Sequence, residues 1–333
     1  MTNNLSIFEE NLANRELKTI PESKTLVSDE YFKKISLPLF RFLFSYQSRV
    51  VCRNSLLKHN LEPSKQFHLS KKSSDNNKKM EEYIQTINEA STTFSVSGFN
   101  GNANLPNFKP KNFNSISYLN LSDCLITSSS AFRSILNLKS LTMLCLYNCG
   151  LFSIPPDLYK LPTTLKSLDF SLNYIASIPN EIHWEHIEGL NLSLNALDGW
   201  PANLNPSRMP NLVYLVLSNN KIKGKFKSSN QTAPFPNLQF LDLSYCALFS
   251  CPEWVFQLKS LTSLSLTGNI NLVIPSLECF QPMTSLRKLN ISGVQLLHNS
   301  TKKAKPHVSL EIIIARGKTW KYVPEGNYAI IHD

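Results

Sequence analysis

The sequence predicts an α/β solenoid, a stack of similar coils instead of a single globular core, and three observations predict it. A block of apolar positions recurs eight times, starting at Ile116, Leu141, Leu165, Ile187, Leu212, Leu238, Leu261 and Leu286, at intervals of 22 to 26 residues. A period of that size is the mark of stacked repeat units. Within each block the apolar residues alternate, as in LKSLDFS, where Leu168 and Phe170 share one side of a strand and Ser167, Asp169 and Ser171 the other. Each alternating run then breaks at a polar or small residue, and five of the blocks close on a proline, at 155, 179, 201, 252 and 275. Proline stops further strand pairing and sets an extended return path.

The break position reads Cys124, Cys149, Asn173, Asn195, Asn220, Cys246, Asn269 and Val294. The chain turns there away from water, so its backbone groups need partners, and an asparagine amide supplies donors and an acceptor together. A small cysteine fits the same slot. The column pattern L-x-x-L-x-L-x-x-N/C-x-L over 116–300 resembles the leucine-rich repeat. The resemblance implies a horseshoe with one short parallel strand per repeat on the concave face and irregular or short-helical returns on the convex side.

The chain has seven cysteines, three of them in the break column, and Cys251 in an aliphatic slot before Pro252. Cys145 and Cys149 form a C-x-x-x-C, but one faces out of the strand and the other into the core. Free thiols are expected, with no disulfide framework. The sequons at Asn120, Asn191 and Asn290 fall within strands and read as incidental.

An open stack needs covered ends. Counting back one period from Leu119 and Leu121 reaches Phe94 and Val96, a degenerate first strand. Ahead of it KKMEEYIQTINEA places Met80, Tyr83, Ile84 and Ile87 on one helical face. Residues 80–115 therefore read as an N-terminal cap. Residues 301–333 read as a C-terminal cap, two short strands in HVSLEIIIARG and NYAIIHD joined through GKTWKYVPEG around Trp320. The polar, lysine-rich stretch 59–79 reads as a flexible linker. Residues 1–58 read as an N-terminal helical segment. Its stretch ISLPLFRFLFSY with VVCRNSL, at about 35–56, resembles a degenerate F-box at Leu37, Pro38, Phe44, Val51, Cys52 and Arg53, with the two halves closer together than in that family.

Composition excludes little by itself. Net charge is +10 and 42% of residues are hydrophobic. Residues 116–300 carry 12 Lys/Arg against 10 Asp/Glu, so the excess of positive charge sits in the flanks. Those flanks read as solvated, and no nucleic-acid contact is expected. No apolar stretch approaches the ~18 residues of a membrane span, and the N-terminus has no secretory signature. The expected location is intracellular and cytoplasmic, with a nuclear site, or a host cytoplasm for a bacterial effector, as alternatives.

No catalytic set can be argued from spacing, and no enzyme, cofactor or metal site is expected. His183 and His186 in EIHWEHIEG have a metal-like interval, but nothing fixes a further ligand. KIKGKFKS, 221–228, reads as a solvated loop. LPTTLKSLDFS also resembles the repeats of bacterial secreted ubiquitin-ligase effectors. The 33 residues after the repeats contain no cysteine nucleophile, so that activity is not expected.

The strand positions facing out are where the leucine-rich-repeat resemblance implies binding. Most are Ser, Asn or Asp. The bulky ones are Tyr118, Met143 and Tyr147 on the first two strands and Tyr214, Val216, Phe240 and Tyr245 on the fifth and sixth. Strands lie ~4.8 Å apart, so each set forms a contiguous patch suited to a protein partner. The patches could instead cover one another or an N-terminal segment folded into the groove. The leading functional expectation is a non-enzymatic scaffold holding a protein on its concave face. Alternatives are a ubiquitin-ligase substrate receptor recruiting an adaptor through Leu37, Pro38 and Phe44, and a secreted bacterial effector.

Overall fold

The computed structural model describes residues 67–68, 82–89, 91, 93–97, 113–124, 126, 129–223, 235–297, 312–315, 318–323 and 327–331. The F-box-like stretch, the 59–66 and 69–79 parts of the proposed linker and residues 224–228 of the lysine loop lie outside them.

Two strands lead in, β1 (Phe67–His68) and β2 (Thr93–Ser97). The eight repeats follow with three-residue strands: β3 (Tyr118–Asn120), β4 (Met143–Cys145), β5 (Ser167–Asp169), β6 (Gly189–Asn191), β7 (Tyr214–Val216), β8 (Phe240–Asp242), β9 (Ser263–Ser265) and, after a short β10 (Val273–Ile274), β11 (Lys288–Asn290). A small β12 (Gln295–Leu296) pairs with β10 on the far side of the stack. The main sheet runs β1 to β9 in sequence order, then β11, with every pair parallel.

The register is the repeat itself. Leu119, Leu144, Leu168, Leu190, Leu215, Leu241, Leu264 and Leu289 stand opposite one another along the sheet, and all are buried in one continuous apolar interior. No coil could enclose its own leucines, so stacking is what removes them from water. Phe94 extends this file by one coil, paired with Leu119 and fully buried.

The asparagine column is a ladder between coils. Asn173 accepts from the Cys149 and Leu151 amides and donates to the Leu146 and Phe170 carbonyls, at 2.8 to 3.0 Å. Asn269 repeats the pattern with Cys246, Leu248, Leu243 and Leu266. Where the column holds cysteine, the thiol reaches a single carbonyl of the preceding coil: Cys149 Sγ to Leu121 O at 3.1 Å and Cys246 Sγ to Leu217 O at 3.3 Å. The residue before the column is left-handed in every repeat, from Asp123 through Leu172, Leu194 and Tyr245 to Gly293, with φ between 53° and 75°. Asparagine, aspartate and glycine tolerate that geometry, whereas leucine and tyrosine hold it at a cost of about 1–2 kcal/mol.

On the convex side the prolines do as expected. Pro155 and Pro252 are extended, and each leads into a short 3₁₀ helix, Pro156–Tyr159 and Glu253–Gln257. Further 3₁₀ segments are Ser129–Asn137 and Leu277–Phe280. At the N-terminal end a helical turn at 82–85 precedes β2, with Ile87 buried and Tyr83 and Ile84 packed on the core. The C-terminal end has one strand more than the sequence reading allowed. β13 (Ile312–Ala315) continues the parallel sheet, and β14 (Lys318–Val323) and β15 (Asn327–Ile331) fold back antiparallel. GKTWKYVPEG is not merely a connection, because KTWKYV is rich in residues that favour strands and finds an open edge on β13.

The six cysteines within the described residues, Cys124, Cys145, Cys149, Cys246, Cys251 and Cys279, are free thiols. No described helix is long and apolar enough to cross a membrane.

Candidate functional site

Three columns of side chains face the concave side of β3–β9. The first runs Tyr118, Met143, Ser167, Gly189, Tyr214, Phe240 and Ser263. The second, two residues on, includes Cys145, Asp169, Asn191, Val216 and Asp242, and the third is almost entirely serine. The serines have a structural task. Asn120, Asp169, Asn191, Asp242 and Asn290 each accept through Oδ1 from the backbone amide of the serine two residues later, at 2.9 to 3.1 Å. In four of these repeats the serine hydroxyl donates to the same oxygen. The strand end is thereby closed before the chain enters its left-handed turn.

The apolar members gather as follows. Tyr118 stands beside Met143, and Tyr214 beside Phe240, in register on neighbouring strands. The Tyr214 and Phe240 rings are 6.2 Å apart and stacked at 29°. Met143 and Tyr214 belong to one buried apolar cluster with Tyr118, Val213 and Phe240 packed against it.

Two placements differ from expectation. Met143, Tyr214 and Val216 were read as exposed and are buried, at 0%, 5% and 6% of full exposure. Tyr245 does not lie on the strand face: β8 ends at Asp242, and Tyr245 occupies the left-handed turn, 57% exposed at the lip of the groove. Its ring lies over Gly268, in a space where a β-carbon would collide with it. Tyr147 is half-buried just beyond β4.

Sequence reasoning missed a set of exposed apolar residues. Phe249, Ile270, Val273 and Leu297 join Tyr245 among the exposed large hydrophobics, and these five fall within 245–297. Phe249, Ile270, Val273 and Leu297 follow the break column at positions that neighbouring repeats also expose, as at Ala176, Ser177, Asp198 and Ala247, so these four are apolar where the repeat calls for no burial.

The face carries little reactive chemistry. Burial pushes the Cys145 thiol far up, the Asp169 carboxylate adding to the effect, so it is a protonated side chain and not a nucleophile. Burial also raises Asp242 above its ordinary 3.8, against the hydrogen bonds from Ser244 that lower it. Asp242 therefore holds a proton to higher pH when folded than when unfolded, and its contribution to stability is lost as pH rises through the folded value. Asp242→Asn is expected to keep the Ser244 cap, as Asn120 and Asn191 do in their own repeats. The variant should be the more stable protein at neutral pH, with the advantage shrinking toward pH 3.8 in urea titrations. A variant advantage that grew on acidification would contradict this sign.

Among the described residues no group of three or more His, Cys, Asp or Glu side chains is arranged to hold a metal. His183 Nε2 lies 3.2 Å from Arg208 Nη1, and the half-buried His186 has its pKa lowered by burial, then by Lys166.

The columns and register above define the class of this protein, and comparison with known proteins agrees. The family model described as Leucine Rich Repeat matches residues 237–258. A solved leucine-rich-repeat protein of Leptospira interrogans is 28% identical over 55% of this chain and 44% of its own, with a TM-score of 0.44. An internalin of Listeria monocytogenes is 16% identical over 66% of this chain and 64% of its own, with a TM-score of 0.46. A chain of the mouse RP105/MD-1 complex is 19% identical over 74% of this chain and 44% of its own, with a TM-score of 0.54. This chain spans less than two thirds of each of them. Its fold is the parallel-strand solenoid of the leucine-rich repeat.

Proposed function

We propose that this protein is a non-enzymatic interaction scaffold that takes a protein partner on the concave face of its repeats, over the aromatic side of β7 and β8. The observation that carries this reading is the apolar cluster of Met143, Tyr214, Tyr118 and Phe240, opening at the lip onto the exposed Tyr245. An aromatic centre inside a rim of serines and aspartates has the anatomy of a protein-binding hot spot. Soluble proteins seldom leave apolar side chains gathered at one edge without a use for them.

The test is a comparison of the full chain with its Tyr214→Ala, Phe240→Ala, Tyr245→Ala triple variant as baits in affinity capture read by mass spectrometry. A partner held by these rings loses about 2 kcal/mol or more per hot-spot residue, enough to remove it from the eluate. Unchanged far-ultraviolet circular dichroism would show that the stack survives. Capture undiminished by the triple change would place the binding surface elsewhere.

A further inference from the structure

Just past the break column the coils pair a second time along the flank of the stack, at the Asp198–Lys221 bridge and between β10 and β12. Side chains alternate in direction there as on any strand. Leu248, Leu272 and Ile274 turn into the core and are buried, whereas Phe249 and Val273 turn outward. Ile270 and Leu297 complete the outward set, and the four are 38 to 68% exposed. They lie on three adjacent coils, the sixth to the eighth, and backbone contacts hold them together. Val273 stands opposite Gln295, whose side-chain amide donates to Ile270 O at 2.9 Å, and Leu297 N donates to Ile274 O at 3.1 Å.

This patch carries no charge. Residues 243–252, 260–277 and 289–297 contain no Asp, Glu, Lys or Arg. The same flank of the fourth and fifth coils holds Asp198, Lys221 and Lys223, with Lys223 Nζ 2.7 Å from Asp198 Oδ1, so an ion-paired stretch bounds the patch on one side. A nucleic acid, a charged peptide or an anionic membrane finds no counter-charge on the patch. A second copy of the chain needs none. The chain carries a net +10, and on this flank two copies can meet with no like charges in contact.

The area is sufficient. Large apolar side chains exposed to this degree offer roughly 100 Å² each, so four give about 400 Å² and two copies about 800 Å². Apolar atoms make up about 56–65% of a protein interface, which puts the whole contact at about 1,300 Å². A specific interface needs about 1,000 Å².

We propose that two copies of this chain pair through the outer flank of the sixth to eighth coils, about a two-fold axis at the seventh, with Phe249 of one copy against Leu297 of the other. The same patch then serves both sides and the assembly closes as a dimer. Tyr245, at the lip of the groove, is not part of this contact. The pairing does not depend on partner capture by the concave face, and it is tested with no partner present.

The test is sedimentation equilibrium of the full chain, alone and as Phe249→Lys and Leu297→Asp variants. The expected result is twice the chain mass for the wild type at micromolar concentration, and the single chain mass for each variant. Both positions are exposed, so the core is untouched, and far-ultraviolet circular dichroism of the variants should match the wild type. An equimolar mixture of the two variants should recover twice the chain mass, because Lys at 249 in one copy then faces Asp at 297 in the other. Interfaces of about this size bind at micromolar or tighter, so a wild type that is still monomeric at about 100 μM overturns the proposal, whatever other protein the patch then captures. A dimer that survives in either variant alone, or a mixture that stays monomeric, also overturns it.

Discussion

Asn173→Leu is expected to destabilise the fold by about 3–5 kcal/mol, a cost set by hydrogen bonds and not by volume. Leucine has the branched skeleton of asparagine, but it leaves the Cys149 and Leu151 amides and the Leu146 carbonyl without the partner that the amide supplied, while Phe170 O still accepts from Asn195 Nδ2. Each buried, unsatisfied group costs about 1–3 kcal/mol, and partial relaxation keeps the total below the sum. The natural control is in the same column. Cys246 reaches Leu217 O of the coil before it and Ser244 O of its own, and Cys246→Ala should cost only about 1–2 kcal/mol. Urea denaturation of both variants checks the contrast. Equal losses at the two positions would mean that the column is a packing slot and not a hydrogen-bonded ladder.

The second large effect is expected at Trp184. The indole is fully buried, lies 6.1 Å from the Phe170 ring and nearly parallel to it at 11°, and donates from Nε1 to Leu158 O at 3.0 Å. Trp184→Ala should cost about 3–5 kcal/mol through the cavity and the lost ring contact. Trp184→Phe keeps the ring contact and orphans the carbonyl, and should fall at about 1–3 kcal/mol. A phenylalanine variant as unstable as the alanine one would show that the hydrogen bond, not the packing, dominates.

Trp184 also marks where the sequence was hard to read. Its place in the repeat is held by Phe113, Leu138, Pro162, Met209, Phe235, Leu258 and Met283 in the other coils. In each, the carbonyl of that residue accepts from the amide three positions on, closing the return before the next strand. Seven of the eight are buried. Size and backbone turn are what the position demands, and many side chains meet that demand, so no single letter announces it. The strand leucines and the asparagine column were legible because each has a narrow physical requirement. Alternation gave the direction of the concave side chains correctly, yet Met143 and Tyr214 are buried because direction along a strand does not report what lies above it. Tyr245 lies one residue beyond the five-residue alternating run 240–244, and the left-handed turn there carries it off the strand face. For Cys124, Cys149 and Cys246 the free thiols followed from column membership.

The central claim is that eight coils form one registered stack. Its inter-coil bonds run in series: Leu121 N to Cys145 O, Leu146 N to Asp169 O, Phe170 N to Asn191 O, Leu192 N to Val216 O, Leu217 N to Asp242 O, Leu243 N to Ser265 O and Leu266 N to Asn290 O, all 2.7 to 2.9 Å. Amide hydrogen exchange resolved to these seven residues tests it most directly. The stack predicts slow exchange at all seven, with the central Phe170, Leu192 and Leu217 at least as protected as the ends. Rapid exchange at any of those three, with its neighbours still protected, would contradict it.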